Sequence, residues 1–325
     1  MNIDFNIAVI GCGKWGMNHV KTAHKLFGDN LKYCCDNYIQ SETGVKKVSD
    51  KIIFITAPEK ILNDETVRAV IVASPAETHF QITKQLLENG KNVLVEKPIT
   101  LNSDEAKILY DIAKKKNLVL MVGHLLLFHP AILKIKEFLD EDRLGKLQYI
   151  YSNRLNLGTI RTEENILWSF APHDISVIQY FIGEVPQEVK ATGAIFVQHE
   201  IQDTTLTYLK FANNIHAHIY VSWLHPFKEQ RLVVIGDKSM MVFEDTLSEN
   251  KLKFYRKGFE MVNGVPVKMD SEFENIEFDK TSPLELEQIH FVECIINGST
   301  PRADGKNAIE VLETLERAQH ELGKL

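Results

Sequence analysis

The stretch FNIAVIGCGKWG, residues 5–16, decides the fold. A short apolar run, 5–10, ends in Gly11-Cys12-Gly13-Lys14-Trp15-Gly16, and the pattern predicts a helix from 17 to about 27. Strand, glycine turn and helix in that order are the layout of a dinucleotide site. Gly11 permits the tight turn, Gly13 lets backbone approach a pyrophosphate, and Gly16 lets the helix pack close, with its N-terminus facing the phosphates. Alone the pattern is weak, because short glycine motifs recur by chance. It gains weight from a second strand, 31–35, ending in Asp36, twenty residues after Gly16, where a carboxylate would accept both ribose hydroxyls. Asp36 also favours NAD over NADP: it would repel a 2′-phosphate, and Asn37-Tyr38 follow it instead of an arginine. Lys14 and Trp15 lie inside the turn and are candidate cofactor contacts. Cys12 reads as a small apolar filler.

Outward from this turn, strand and helix patterns alternate: 69–73 with about 78–88, 92–96 with 103–116, and 119–123 as a last strand. Such alternation implies a doubly wound parallel sheet, an α/β domain over residues 1–123. Ligands of open α/β sheets sit at the carboxyl ends of the strands, and two of those ends carry polar residues. Ser74 and Pro75 follow the strand at 69–73, with His79 on the helix beyond. NVLVEKPIT, residues 92–100, runs from a buried strand into Glu96-Lys97-Pro98, which makes Lys97 the first catalytic candidate. The plainer reading of each is a strand end with solvated charges or, for His79, a packing residue.

After Gly123 the period changes. A helix at about 131–139 and an alternating strand at 146–156 lead to a helix at about 172–181. Strand patterns follow at 189–197, 204–211, 215–223, 231–236, 239–243 and 252–255, joined by turn residues such as Asn213-Asn214 and Gly236-Asp237. They predict a second domain, residues 124–325, of α+β type with a large, mostly antiparallel sheet. Helices at about 284–296 and 303–322 close the chain.

The chain has 325 residues and 44% hydrophobic content, enough for about two domains with sizeable cores. A net charge of −7 argues against a general nucleic-acid grip, which needs clustered positive charge. The cysteines, Cys12, Cys34, Cys35 and Cys294, form neither a disulfide framework nor paired zinc spacing, and a reducing cytoplasm fits them best. No apolar run approaches the ~20 residues of a membrane span, so neither membrane insertion nor secretion is expected.

With the glycine turn, Asp36, Glu96-Lys97-Pro98 and an antiparallel-sheet domain in one order, the chain resembles the glucose–fructose oxidoreductase/inositol dehydrogenase (Gfo/Idh/MocA) family. The resemblance extends to the closing pattern Leu286-Glu287-Gln288-Ile289-His290-Phe291, Gly298, Pro301 and Asp304-Gly305. It implies that Lys97 lies between nicotinamide and substrate, that Glu96 reaches the nicotinamide ribose, and that His173 is a catalytic residue at the N-terminus of the helix facing the sheet. Many relatives have an aspartate four residues before that histidine, where this chain has Ser169. Many also have an arginine in the loop after the last Rossmann strand, where this chain has His124-Leu125-Leu126-Leu127-Phe128. Within the family, residues 151–158 (YSNRLNLG) with Trp168 and Pro172-His173-Asp174 look most like enzymes that oxidise carbon 3 of UDP-N-acetylglucosamine or of its uronic acid. In those relatives an aminotransferase then converts the ketone into a 3-amino sugar for lipid A or O-antigen.

Oxidising a secondary alcohol removes a hydride to NAD and a proton to a base. Histidine suits the base because its unperturbed pKa is roughly 6.5, so we assign His173 that role and Lys97 the stabilisation of the developing alkoxide. The reverse, a deprotonated Lys97 as base, stays open. Arg154 and Asn156 share a strand face and are candidates for hydroxyl, acetamido or phosphate contacts, against a plain solvated face. His124, Arg161, Trp168 and Ser169 complete the substrate candidates, although Trp168 also suits a packing role. His216 and His218 share a strand face but lack a third ligand, so no metal is expected. A homo-oligomer is expected from the broad sheet. A polyol dehydrogenase and a non-catalytic NAD sensor are the competing readings.

Overall fold

The computed structural model describes residues 3–158, 160–269 and 272–323. By contacts the chain forms two units, Met1–Phe128 with Thr281–Leu312, and His129–Lys280 with Glu313–Leu325. The sequence places one boundary near 123 and gives everything beyond it to the second domain. The structure returns 281–312 to the first unit, through packing across more than 260 residues of chain that no local pattern reveals.

In the first unit, β1 (Asn6–Ile10), β2 (Leu31–Cys35), β3 (Ile53–Ile55), β4 (Val67–Val72), β5 (Asn92–Glu96) and β6 (Leu120–Gly123) form a parallel sheet in the order β3-β2-β1-β4-β5-β6. The strand order reverses between β1 and β4, the switch point where such sheets bind their ligands. The helices are α1 (Gly16–Phe27), α2 (Ser41–Lys46), α3 (Glu59–Asn63), α4 (Ala76–Glu88) and α5 (Ser103–Lys116). Near-continuous Val, Ile, Leu and Ala in β1, β4 and β5 bury both faces of the sheet, as helices on either side require. The Asn102 side chain caps α5, accepting the Glu105 N–H at 2.9 Å. The elements β3, α2 and α3, three to six residues each, escape the sequence reading because they are too short for a period to show.

The second unit begins with α6 (Pro130–Asp140), β7 (Leu147–Leu155) and α7 (Ile166–Ile182). Then come β8 (Glu188–Ala194), β9 (Thr204–Lys210), β10 (His216–Ser222), β11 (Glu229–Gly236), β12 (Met240–Glu244) and β13 (Leu252–Tyr255). A separate hairpin, β14 (Gly258–Val262) with β15 (Val265–Met269), precedes β16 (Phe273–Asn275). The eight-stranded sheet runs β16-β13-β12-β11-β7-β10-β9-β8 and is antiparallel except where β7 and β10 pair in parallel. The chain closes with α8 (Pro283–Asn297) in the first unit and α9 (Gly305–Leu322).

Helix α7 packs on β7, β9 and β10. Pro172 suggests a start at the first helical position, its favoured place, but Asn165 starts the helix earlier by accepting the Trp168 N–H at 3.2 Å. Pro172 therefore lies inside α7, and His173 is in its middle, not at its N-terminus as the resemblance implies. A buried ion pair fixes this helix on the sheet. Arg154 on β7 gives two hydrogen bonds to Asp174, at 2.9 and 3.0 Å, and Ser152 gives a third at 2.6 Å. Burial opposes the charge on Arg154, but Asp174 outweighs it and holds the guanidinium charged. Removing one partner would leave the other as a buried, unpaired charge. Asp174→Ala should cost about 3–5 kcal/mol, read as a loss of unfolding free energy in urea through the fluorescence of Trp168 and Trp223.

Candidate active site

The glycine turn is held by sterics that only glycine satisfies. Gly11 has φ +90°, and a Cβ there would lie 2.5 Å from the backbone of Ala73 and Ser74. A Cβ on Gly16 would lie 1.9 Å from the Gly11 carbonyl oxygen, so α1 can begin where it does only without a side chain. A Cβ on Gly13 would meet no protein atom within 4 Å, which leaves close approach of a ligand as the physical reason for glycine there. Asp36 closes the turn from β2: one carboxylate oxygen accepts the Cys12 N–H at 2.6 Å and the other the Tyr38 N–H at 2.8 Å. The first turn of α1 has no acidic residue, whereas α4 and α5 begin with Glu77 and with Asp104 and Glu105. The helix end that would meet a pyrophosphate thus carries no repelling charge in its first turn. Turn, acid and helix fit NAD, with Lys14 exposed at the turn.

Two strand ends beside the turn carry the other predicted residues. After β4, Ser74 Oγ and Thr78 Oγ1 are 2.7 Å apart, and Pro75 leads into α4. His79 is buried, with one ring nitrogen 2.8 Å from the Ser74 carbonyl and the other 2.7 Å from the Pro98 carbonyl. It joins the loop after β4 to the Lys97-Pro98 loop, whose peptide bond is cis, and its role in the fold is to set these loops.

Glu96, at the end of β5, is the hub. Its Oε1 accepts the Trp15 indole N–H at 2.5 Å and lies 2.7 Å from His19 Nε2, while Oε2 accepts the Lys97 N–H at 3.2 Å. Burial opposes its charge, but the hydrogen bond and attraction of His19, the Trp15 hydrogen bond and the Lys97 charge win, holding the carboxyl below the ordinary glutamate range. Gly123 makes room, since a Cβ there would lie 2.9 Å from the carboxylate. His124, next along, is buried and pushed down to about 4 by burial, against the pull of Glu96 and with Lys97 adding to it, so it is neutral at neutral pH. His19 and its partner Gln288 on α8 are the residues sequence reasoning missed; the one local signal was His19 falling one helical turn after Trp15.

In the second unit, Ser169 and His173 lie one turn apart on α7, Ser169 buried and His173 half-buried. Arg154 is committed to Asp174, which leaves the solvated-face reading wrong and gives the side chain a structural task. The Asn156 N–H bonds the Ser222 carbonyl at 3.0 Å, and Trp168 donates to Gln319 at 3.1 Å, a packing role. Arg161 is exposed, and its carbonyl accepts from Gln198 at 2.7 Å. His218 stacks on Tyr151 and bonds Tyr149, and His216 bonds Tyr208 at 2.6 Å. A pocket of about 540 Å³ in the first unit is lined by Asn92, Leu120 and Lys114, at the opposite strand ends from the glycine turn.

Fold and site define an NAD-dependent oxidoreductase acting on a CH–OH group. Residues 5–124 match the oxidoreductase family with an NAD-binding Rossmann fold, and residues 132–242 match the GFO/IDH/MocA C-terminal domain. The chain belongs to the Gfo/Idh/MocA family. It is 28% identical over 313 residues to scyllo-inositol 2-dehydrogenase (NAD(+)) of Bacillus subtilis, covering 90% of this chain and 87% of that one. It is 27% identical over 248 residues to UDP-N-acetylglucosamine 3-dehydrogenase of Acidithiobacillus ferrooxidans, covering 76% of each. The solved structure of that organism's UDP-N-acetylglucosamine 3-dehydrogenase GnnA superposes with a TM-score of 0.86 at 22% identity, over 100% of this chain and 98% of that one. Levoglucosan dehydrogenase in complex with NADH and levoglucosan superposes at 0.83 and 18% identity, over 100% and 98%. Among the described residues no helix is long and apolar enough to cross a membrane.

Gly123→Ala should push Glu96 off Trp15 and His19 and weaken NAD binding about ten- to a hundredfold, the cost of a lost charge-assisted hydrogen bond, measured by calorimetric titration with circular dichroism as a fold control. Asp36→Ser should lower NAD affinity and raise the NADP-to-NAD affinity ratio by about tenfold, since the carboxylate that repels a 2′-phosphate is gone.

Proposed function

We propose that this enzyme oxidises the 3-hydroxyl of UDP-N-acetylglucosamine to the 3-keto sugar nucleotide, on a route to the 3-amino sugars of lipid A or O-antigen. NAD, when bound, accepts the hydride from carbon 3. Lys97 stabilises the developing alkoxide and His173 takes the hydroxyl proton. Glu96 supports this division: the Lys97 charge pulls the Glu96 carboxylate towards its charged form, which suits Lys97 to the part of an electrostatic stabiliser. His124, neutral and beside this pair, suits a hydrogen bond to a hydroxyl without adding charge.

The observation that carries the sugar-nucleotide reading is Ser169. It occupies the position one helical turn before His173 where many relatives place an aspartate, so this chain lacks a carboxylate that would help hold or position a hydroxyl, which counts against a free polyol. Arg161, exposed on the surface, is the better candidate for a diphosphate or uronate now that Arg154 is committed to Asp174. A free polyol is the second reading, favoured by the 28% identity to the inositol dehydrogenase. An aminotransferase would consume the ketone. A homo-oligomer is part of this reading, because the β14–β15 hairpin leaves Phe259 and Met261 69% and 67% exposed.

Protein mixed with NAD and UDP-N-acetylglucosamine, its uronate, or scyllo-inositol should produce NADH and a 3-keto product with the first alone; turnover of inositol only would replace the proposal with the polyol reading. Lys97→Ala and His173→Ala should each lower kcat by about 10²–10⁴ while NAD binding persists.

A further inference from the structure

Glu287 on α8 is fully buried, and neither carboxyl oxygen has a hydrogen-bond partner. It does not stand alone: a carboxylate oxygen of Glu287, a ring nitrogen of His19 and a carboxylate oxygen of Glu96 all lie within 4.8 Å of one another. Two carboxylates so close in a dry core cannot both be ionised. The donors decide which one is. Glu96 has three, from Trp15, His19 and the Lys97 backbone, and Glu287 has none. The Gln288 amide nitrogen donates to the His19 carbonyl at 3.3 Å and lies 3.1 Å from His19 Nδ1, while His19 Nε2 lies 2.7 Å from Glu96, so Gln288 on α8 fixes the ring that faces Glu96.

We propose that Glu287 is a positioning residue of the cofactor site: a neutral acid behind Glu96 that leaves Glu96 the one anion of the cluster and so keeps it on Trp15, in the glycine turn. Burial first, and the Glu96 charge second, push the Glu287 carboxyl well above its ordinary range, in the direction the donors require. The titratable groups that bear on the pair are His19 from α1, Lys97 after β5 and His124 after β6. When Glu287 ionises, a second negative charge displaces Glu96 from Trp15 and His19, and the turn loses its anchor. NAD affinity then falls as pH rises through that ionisation. A protonated acid in the core also shapes stability. Unfolded glutamate gives up its proton near pH 4.3, so folded protein that keeps it loses stability as pH climbs from there until Glu287 itself ionises.

The test needs NAD alone, so it stands whether or not the sugar assignment does. NAD titration of the wild type across alkaline pH should show affinity falling by up to about tenfold per pH unit, the limit for one linked proton. Glu287→Gln, neutral and of the same shape, should bind NAD equally at neutral pH, lose that alkaline fall, and melt higher than wild type by a margin that widens from acid to neutral pH. Infrared spectra of the wild type should show a protonated carboxylic acid at neutral pH that Asp304→Asn, which removes the other acid raised by burial, leaves in place. An alkaline fall that survives in Glu287→Gln would overturn the proposal. So would the absence of that infrared signal, a measurement that does not depend on the variant folding. A stoichiometric divalent cation in the purified protein, lost in Glu287→Gln, would replace it with a metal site.

Discussion

One buried carboxylate, Glu96, ties together the parts of the first unit that carry chemistry. It takes a hydrogen bond from the glycine turn through Trp15, one from α1 through His19 and one from the backbone that begins the Lys97-Pro98 loop. Each donor belongs to a different piece of the chain, so the carboxylate converts three local structures into one arrangement. The desolvation that makes the group costly is also what strengthens its contacts, because attraction rises as the local dielectric falls. Space is part of the same constraint. Glu96 can lie across β6 only because Gly123 has no side chain, and α1 can start beside β1 only because Gly16 has none.

The fold of the first unit was legible because its signals are local. The β1 turn, the acid after β2, and the ends of β5 and α5 are each set by a few adjacent residues, and the structure places β2, β5 and α5 on the stretches the sequence indicates. What was not legible has no local signature. Glu287 and Gln288 reach His19 and Glu96 from the far end of the chain, and although they belong to the closing pattern the family shares, nothing within α8 shows which element they meet. His79 shows the middle case: its position on α4 was evident, but that it spans Ser74 and Pro98 depends on how two loops meet.

Arg154 shows why polar residues on strands mislead. An alternating strand tells which residues share a face, and Ile150, Ser152 and Arg154 do share one. It does not tell what covers the face. Here α7 covers it, and Asp174 turns a candidate substrate arginine into the clamp that fixes the helix bearing His173 and Ser169. The same clamp explains how Pro172 is tolerated inside α7: the helix forfeits one backbone hydrogen bond there and is held to the sheet by three side-chain bonds two residues on.

The two units thus fix their functional side chains by the same device, a buried carboxylate that gathers donors from separate elements. In the first unit Glu96 is left beside a neutral acid, and the arrangement depends on where one proton rests. In the second, Asp174 faces a guanidinium that stays charged at any ordinary pH, so its geometry has no such dependence. The loss of NAD affinity we propose for alkaline conditions therefore has its structural origin on the cofactor side, while the helix that carries His173 stays anchored over the same range.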